Sequence, residues 1–130
     1  MESEPTQRDL SDALAGIAHL RLLVLHGSRA TGTHHEGSDW DLGYLADGPI
    51  DVETLHARLT TVLGTDAVDL VDLDRASAVL RFRAARDGRP FLARSPEAWE
   101  EFVLTATRFW CDAGSVLARA HDRVLAELTP

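Results

Sequence analysis

The stretch Gly27–Leu42, GSRATGTHHEGSDWDL, restricts this chain more than any other part of it. Two apolar runs frame it, Arg21–His26 (RLLVLH) and Trp40–Leu45, each too short for a helix and readable as a strand. Between them Gly27 and Ser28 are followed, after ten residues, by Asp39 and Asp41. Residues i and i+2 of a strand project from one face, so the two carboxylates converge while Trp40 points the other way. Carboxylates held side by side repel unless a cation joins them. Hard oxygen donors suit Mg²⁺, which is held by a few carboxylates together with substrate phosphates. A glycine lets the backbone approach a phosphate closely, and a hydroxyl beside backbone N–H groups can bind its oxygens. The spacing therefore sets a phosphate cradle opposite a metal pair, the arrangement used with two ions about 3.5–4 Å apart for in-line displacement at phosphorus.

A third carboxylate should complete such a set. The later run Val68–Leu73 (VDLVDL) reads as a strand and offers Asp69 and Asp72. Three residues apart, they face opposite sides, so only one can join the others. An acid in an apolar buried strand is costly unless it is paired or bound to metal.

The remaining pattern alternates helix and strand. Leu10, Leu14, Ile17 and Ala18 predict a first helix, Val52–Val62 a second closed by Gly64, and Ala78–Phe82 a short one ending near Gly88. Thr31–Gly37 reads as a loop and Pro90–Ala93 as a last weak strand. Ser95 and Pro96 open a long helix whose apolar face continues from Trp99 through Leu117, Ala120, Val124 and Leu128, with Gly114 the one place to split it. The class is α/β or α+β with a small mixed sheet and helices mainly on one side. A length of 130 residues fits one domain, with residues 95–129 as an extended helical segment.

Composition narrows the chemistry. The chain has no lysine, so a phosphate-loop NTPase is excluded. A net charge of −8 argues against direct nucleic-acid binding. No apolar run nears the roughly 20 residues that span a bilayer, and the polar start, Met1–Arg8, lacks the order of a signal peptide. The expected compartment is the cytoplasm. The single Cys111 agrees with it and reads as a small buried side chain.

GSRATGTHHEGSDWDL resembles the signature of the DNA polymerase β-type nucleotidyltransferase superfamily, and in particular the minimal nucleotidyltransferases of HEPN/MNT toxin–antitoxin systems. VDLVDLDRASAVLRFRAARDGRPFLAR is similar to that family's third strand, following helix and Arg-x-Gly-Arg stretch, so the resemblance runs from about Ile17 to Arg94. It implies a nucleotidyltransferase fold, two Mg²⁺ ions and ATP as substrate. It also implies Asp39, Asp41 and Asp69 as metal ligands and catalytic residues, with Asp72 the alternate to Asp69. Gly27, Ser28, Arg29 and Ser38 would bind the nucleotide. The implied partner is a cognate HEPN ribonuclease toxin, silenced by AMP on a tyrosine. A small-molecule acceptor, as in aminoglycoside nucleotidyltransferases, and an antitoxin acting by binding alone are the other readings. Arg83 and Arg86 can offset triphosphate charge or simply face solvent, and the loop pair His34 and His35 can bind a metal, contact substrate or face water. The long last helix is expected to meet a partner, either the toxin or a second copy.

Overall fold

The run RLLVLH forms the heart of strand β1 (Leu20–His26), buried everywhere except at Arg21 and His26. Such a strand must be covered on both faces. The computed structural model describes residues 4–35 and 37–128, and side chains as far as residue 113. The elements are α1 (Gln7–Ala13), β1, α2 (Ser28–Thr31), β2 (Trp40–Ala46), α3 (Val52–Leu63), β3 (Val68–Asp72), α4 (Ala78–Asp87), β4 (Arg89–Ala93) and α5 (Pro96–Leu128). The sheet order is β3-β2-β1-β4, with β2 and β3 parallel and the other pairs antiparallel.

Side-chain alternation divides the core in two. Leu23, Leu25, Leu42 and Tyr44 pack with Leu10 and Leu14 of the α1 segment, Leu55 and Leu59 of α3, and Phe91. Leu22, Val24 and Leu45 face the other way, onto Ala84 of α4 and Ala98, Phe102 and Ala106 of α5. Helices thus cover both faces, whereas the sequence suggested mainly one. The reason is that β1 and β2 are apolar at successive positions, so both sides need a cover.

Local chemistry sets most boundaries. Thr6 and Asp9 form a reciprocal capping box at α1. Asp51 caps α3, and Gly64 closes it in the left-handed conformation. The Ser77 hydroxyl accepts from Leu80 N–H at the start of α4. Helix α1 stops at Ala13, short of the expected Ile17, because the chain turns through Gly16 at φ 82°. Leu14 and Ile17 are buried nonetheless, from the loop. The single turn α2 lies just before the loop read at Thr31–Gly37 and overlaps it only at Thr31; the sequence reading gave no helix there. Strand β3 is a sheet edge with partly exposed side chains, not the buried strand its composition suggested.

Helix α5 runs through Gly114 as one piece of 33 residues, about 50 Å long. The stripe at Leu117, Ala120, Val124 and Leu128 lies outside the described side chains. Cys111 is exposed rather than buried. Gly43 of β2 has a packing role, since a Cβ there would meet Leu73 at 2.6 Å.

Among the described side chains, those of α5 buried against the sheet, Ala98, Phe102 and Ala106, lie in its first three turns. Phe102→Ala should therefore lower stability by about 3–5 kcal/mol in urea unfolding. A chain ending at Asp112 keeps Ala98, Phe102 and Ala106 and should still melt cooperatively by circular dichroism.

Candidate active site

The turn after β1 is built around Gly27. Its φ is 71°, and a Cβ there would lie 2.2 Å from Asp41 Oδ2. Any other residue would meet both backbone strain and a carboxylate. Gly27 caps the turn α2, and Gly32 ends it in the left-handed conformation. The Ser28 carbonyl accepts from Thr33 N–H at 3.0 Å, folding the loop back over the turn.

Arg29 faces inward. It is 8% exposed, its Nε and one terminal nitrogen donate to the Ser38 carbonyl at 3.1 and 2.7 Å, and its guanidinium stacks 4.2 Å from the Trp40 ring centre. A buried guanidinium must place its donors, and here it uses them on the loop. The Ser38 hydroxyl accepts from His35 N–H at 2.9 Å. The structure therefore uses Arg29 and Ser38, both expected at the nucleotide, to pin the loop onto β2.

The carboxylates come together through sheet register. Trp40 is buried, with exposed Asp39 before it and half-buried Asp41 after it. Asp39 immediately precedes β2 rather than lying within it. In the parallel β2–β3 pair Asp41 stands beside Asp69, and Tyr44 beside Asp72. Positions 41 and 44 face opposite sides, so Asp69 shares the Asp41 face and Asp72 does not. Asp72 instead accepts from Asp74 N–H at 3.0 Å. Burial raises the Asp41 pKa, His26 lowers it, and Asp69 and Asp39 raise it further. Both other acids are thus close enough to be felt.

His26 is the cross-strand partner of Asp41. Burial lowers its pKa against the opposing pull of Asp41 and Asp69. Its Nε2 is sealed from solvent and has no hydrogen-bond partner among the described residues. Beyond it a cleft of about 300 Å³ is lined by His26, Gly27, Ser28, Thr31, Thr33, Leu80, Arg83 and Asp87. Arg83 thus lines the same cleft as Gly27 and Ser28. Arg86 is paired with Asp87 through two hydrogen bonds of 3.0 and 2.7 Å. His34 and His35 are exposed on the loop. Sequence reading passed over His26, Thr31 and Thr33. A histidine ending an apolar strand, directly before the glycine, was the available signal.

Among the described residues no three acid, histidine or cysteine side chains close round one point as a ready-made metal cage. Mg²⁺ does not require one, since it takes one or two carboxylates plus substrate phosphates. Three acids at one end of the sheet, one with its pKa raised by burial and then by the other two, fit a divalent cation completed by a triphosphate.

Residues 9–97 match the family model described as polymerase beta, nucleotidyltransferase. The chain belongs to that family. Protein adenylyltransferase MntA of Aphanizomenon flos-aquae (strain 2012/KM1/D3) is 29% identical over 101 residues, 68% of this chain and 67% of that protein. A toxin–antitoxin crystal structure with AMP-PNP superposes with a TM-score of 0.73 at 28% identity, covering 92% of this chain and 98% of the other. The tri-AMPylated Shewanella oneidensis HEPN toxin in complex with MNT antitoxin gives 0.62 at 26% identity and 91% of each chain. The resemblance drawn from the loop and the later strand is borne out, and the nucleotidyltransferase makes this chain an enzyme by family.

A raised Asp41 pKa means that the folded chain binds this proton more tightly than the unfolded one, so ionisation of Asp41 opposes folding. Stability from this group is present in acid and lost as pH rises through its folded pKa. Asp41→Asn should melt above the wild type at pH 7 in EDTA. The gap should close as pH falls to the ordinary aspartate range. A constant gap across pH, read by calorimetry, would contradict the assignment.

Proposed function

We propose that this chain is a Mg²⁺-dependent adenylyltransferase of the cytoplasm that moves AMP from ATP to a tyrosine of a cognate HEPN ribonuclease toxin and so neutralises it. The observation that carries this reading is the register of Asp41 with Asp69, beside Asp39 and next to the Gly27–Ser28 turn. Relatives named as protein adenylyltransferases, and neighbours titled as toxin complexes with AMP-PNP or an AMPylated toxin, support the donor and the acceptor.

Asp39 and Asp41 would hold two Mg²⁺ ions, and Asp69 would complete the set. The ions supply charge neutralisation and Lewis acidity at the α-phosphate. Gly27 and Ser28 bind the triphosphate in the cleft, and Arg83 offsets its charge from the opposite wall. The tyrosine oxygen bonds to the α-phosphorus, the bond to the β-phosphate oxygen breaks, pyrophosphate leaves and the phenolic proton passes to solvent. Positioning and electrostatics supply the rate. Arg29 and Ser38 act at one remove, by fixing the loop.

The toxin would dock on α5. Leu104 is 60% exposed and Phe109 45%, and Trp99, Glu100, Val103 and Leu104 shape a shallow apolar groove beyond the core contacts.

Labelled ATP and a cognate HEPN toxin test the reading. Asp39→Asn, Asp41→Asn and Asp69→Ala should each cut toxin labelling by about 10²-fold or more, the scale of losing one key electrostatic group. Asp72→Ala, on the other face, should leave labelling within about threefold of wild type, as for a surface change. Near-normal labelling by Asp69→Ala with loss in Asp72→Ala would overturn the assignment.

A further inference from the structure

His26 is the polar side chain at this site that the carboxylate chemistry leaves without a task. It faces Asp41 across the β1–β2 pair, so imidazole and carboxylate share one face of the sheet. Its Nε2 is sealed from solvent and meets no hydrogen-bond partner among the described residues. A buried polar nitrogen in that state is costly, and a phenylalanine would fill the same space without the cost. The neighbouring position confines the same carboxylate, because Asp41 Oδ2 occupies the place where a Cβ on Gly27 would stand. Two successive residues of one chain thus bracket one carboxylate, one by lacking a side chain and one by offering a nitrogen.

We propose that His26 is a positioning residue whose Nε2–H donates to the Asp41 carboxylate once Mg²⁺ and nucleotide draw that carboxylate in. This rests on the reading of Asp39, Asp41 and Asp69 as the metal-holding set. Carboxylate ligands are oriented by hydrogen bonds from a second layer of side chains, and a neutral donor suits this place. An arginine here would hold Asp41 equally well but would cancel the charge that attracts the cation.

Two substitutions separate this role from packing. His26→Phe keeps the ring and removes the nitrogen; His26→Gln keeps an N–H near the Nε2 position. Melting without ligand and calorimetric titration with Mg²⁺ plus a non-hydrolysable ATP analogue are read on the full chain. His26→Phe should melt at or above wild type yet bind the analogue about tenfold more weakly, the scale of one lost hydrogen bond to a charged group. His26→Gln should recover affinity to within about threefold of wild type on the same scale. Unchanged affinity in His26→Phe overturns the inference alone, as does a glutamine variant no better than the phenylalanine. Parallel loss of melting temperature and affinity in both variants marks a packing role and overturns it too. A wild-type chain that takes up no Mg²⁺-analogue overturns the active-site reading itself, and this inference with it.

Discussion

The antiparallel pairing of β1 with β2 is the contact on which the rest of this structure depends. Its register sets Leu25 beside Leu42 in one core and Val24 beside Gly43 toward the other, and it sets His26 beside Asp41 at the rim. A shift of one residue would turn both strands inside out, exchanging Trp40 for Asp41 in the interior. Such a slip would bury a carboxylate among leucines, so the hydrophobic pattern that makes the fold also fixes the acids at the rim. Strand β3 then needs only to align in parallel to bring Asp69 beside them.

This dependence explains what the sequence displays. The loop Gly27–Leu42 is legible because it is local: glycine, serine and two aspartates at fixed spacing, between two strands whose apolar runs are unmistakable. Strand and helix positions follow from caps such as Asp51 and Gly64. Alternation places Asp69 and Asp72 on opposite faces once β3 is a strand, but which of them stands beside Asp41 is decided by the register with β2, which the sequence leaves open. Other features are set by partners far along the chain. That β3 is an edge, that helices cover both faces, and that Arg29 turns inward onto Trp40 are decided by tertiary neighbours, which no local pattern records. Helix α2 is too short for periodicity to reveal, being one turn bounded by Gly27 and Gly32. His26 looked like the end of a strand because its significance depends on the residue across from it.

Arg29 shows how the loop is kept rigid without lysine or metal. Its guanidinium ties the Ser38 carbonyl to the far side of the same loop and covers the Trp40 ring. The loop is therefore anchored from beneath, on the side away from the cleft. Its upper surface, carrying Gly27, Ser28, Thr31 and Thr33, lines the cleft and under the proposed function would receive phosphate oxygens. A cation on that upper surface would compete with the metal ions for the same triphosphate. Placing the nearest arginine in the interior avoids that competition, while Arg83 approaches from α4 on the opposite wall.

The acids themselves work against the fold. Asp39, Asp41 and Asp69 repel one another at one strand end, and burial of Asp41 adds to the strain. A chain of this size can tolerate that only where the loss is local and the core is elsewhere. The acids stand at the start of β2 and β3, whereas fully buried residues such as Leu22 to Leu25, Leu42 and Phe91 fill the middle of the sheet, with Leu55 and Leu59 of α3 packed against it. Under the proposed function the same repulsion would favour a divalent cation, since the strain at Asp41 would be relieved when the ion and the triphosphate enter together. A site relaxed in the absence of ligand, with one aspartate neutral or absent, would hold the fold better and the cation worse. Stability and metal affinity are opposed at these positions by the same electrostatic term, which accounts for a cluster of acids that packing alone would not place there.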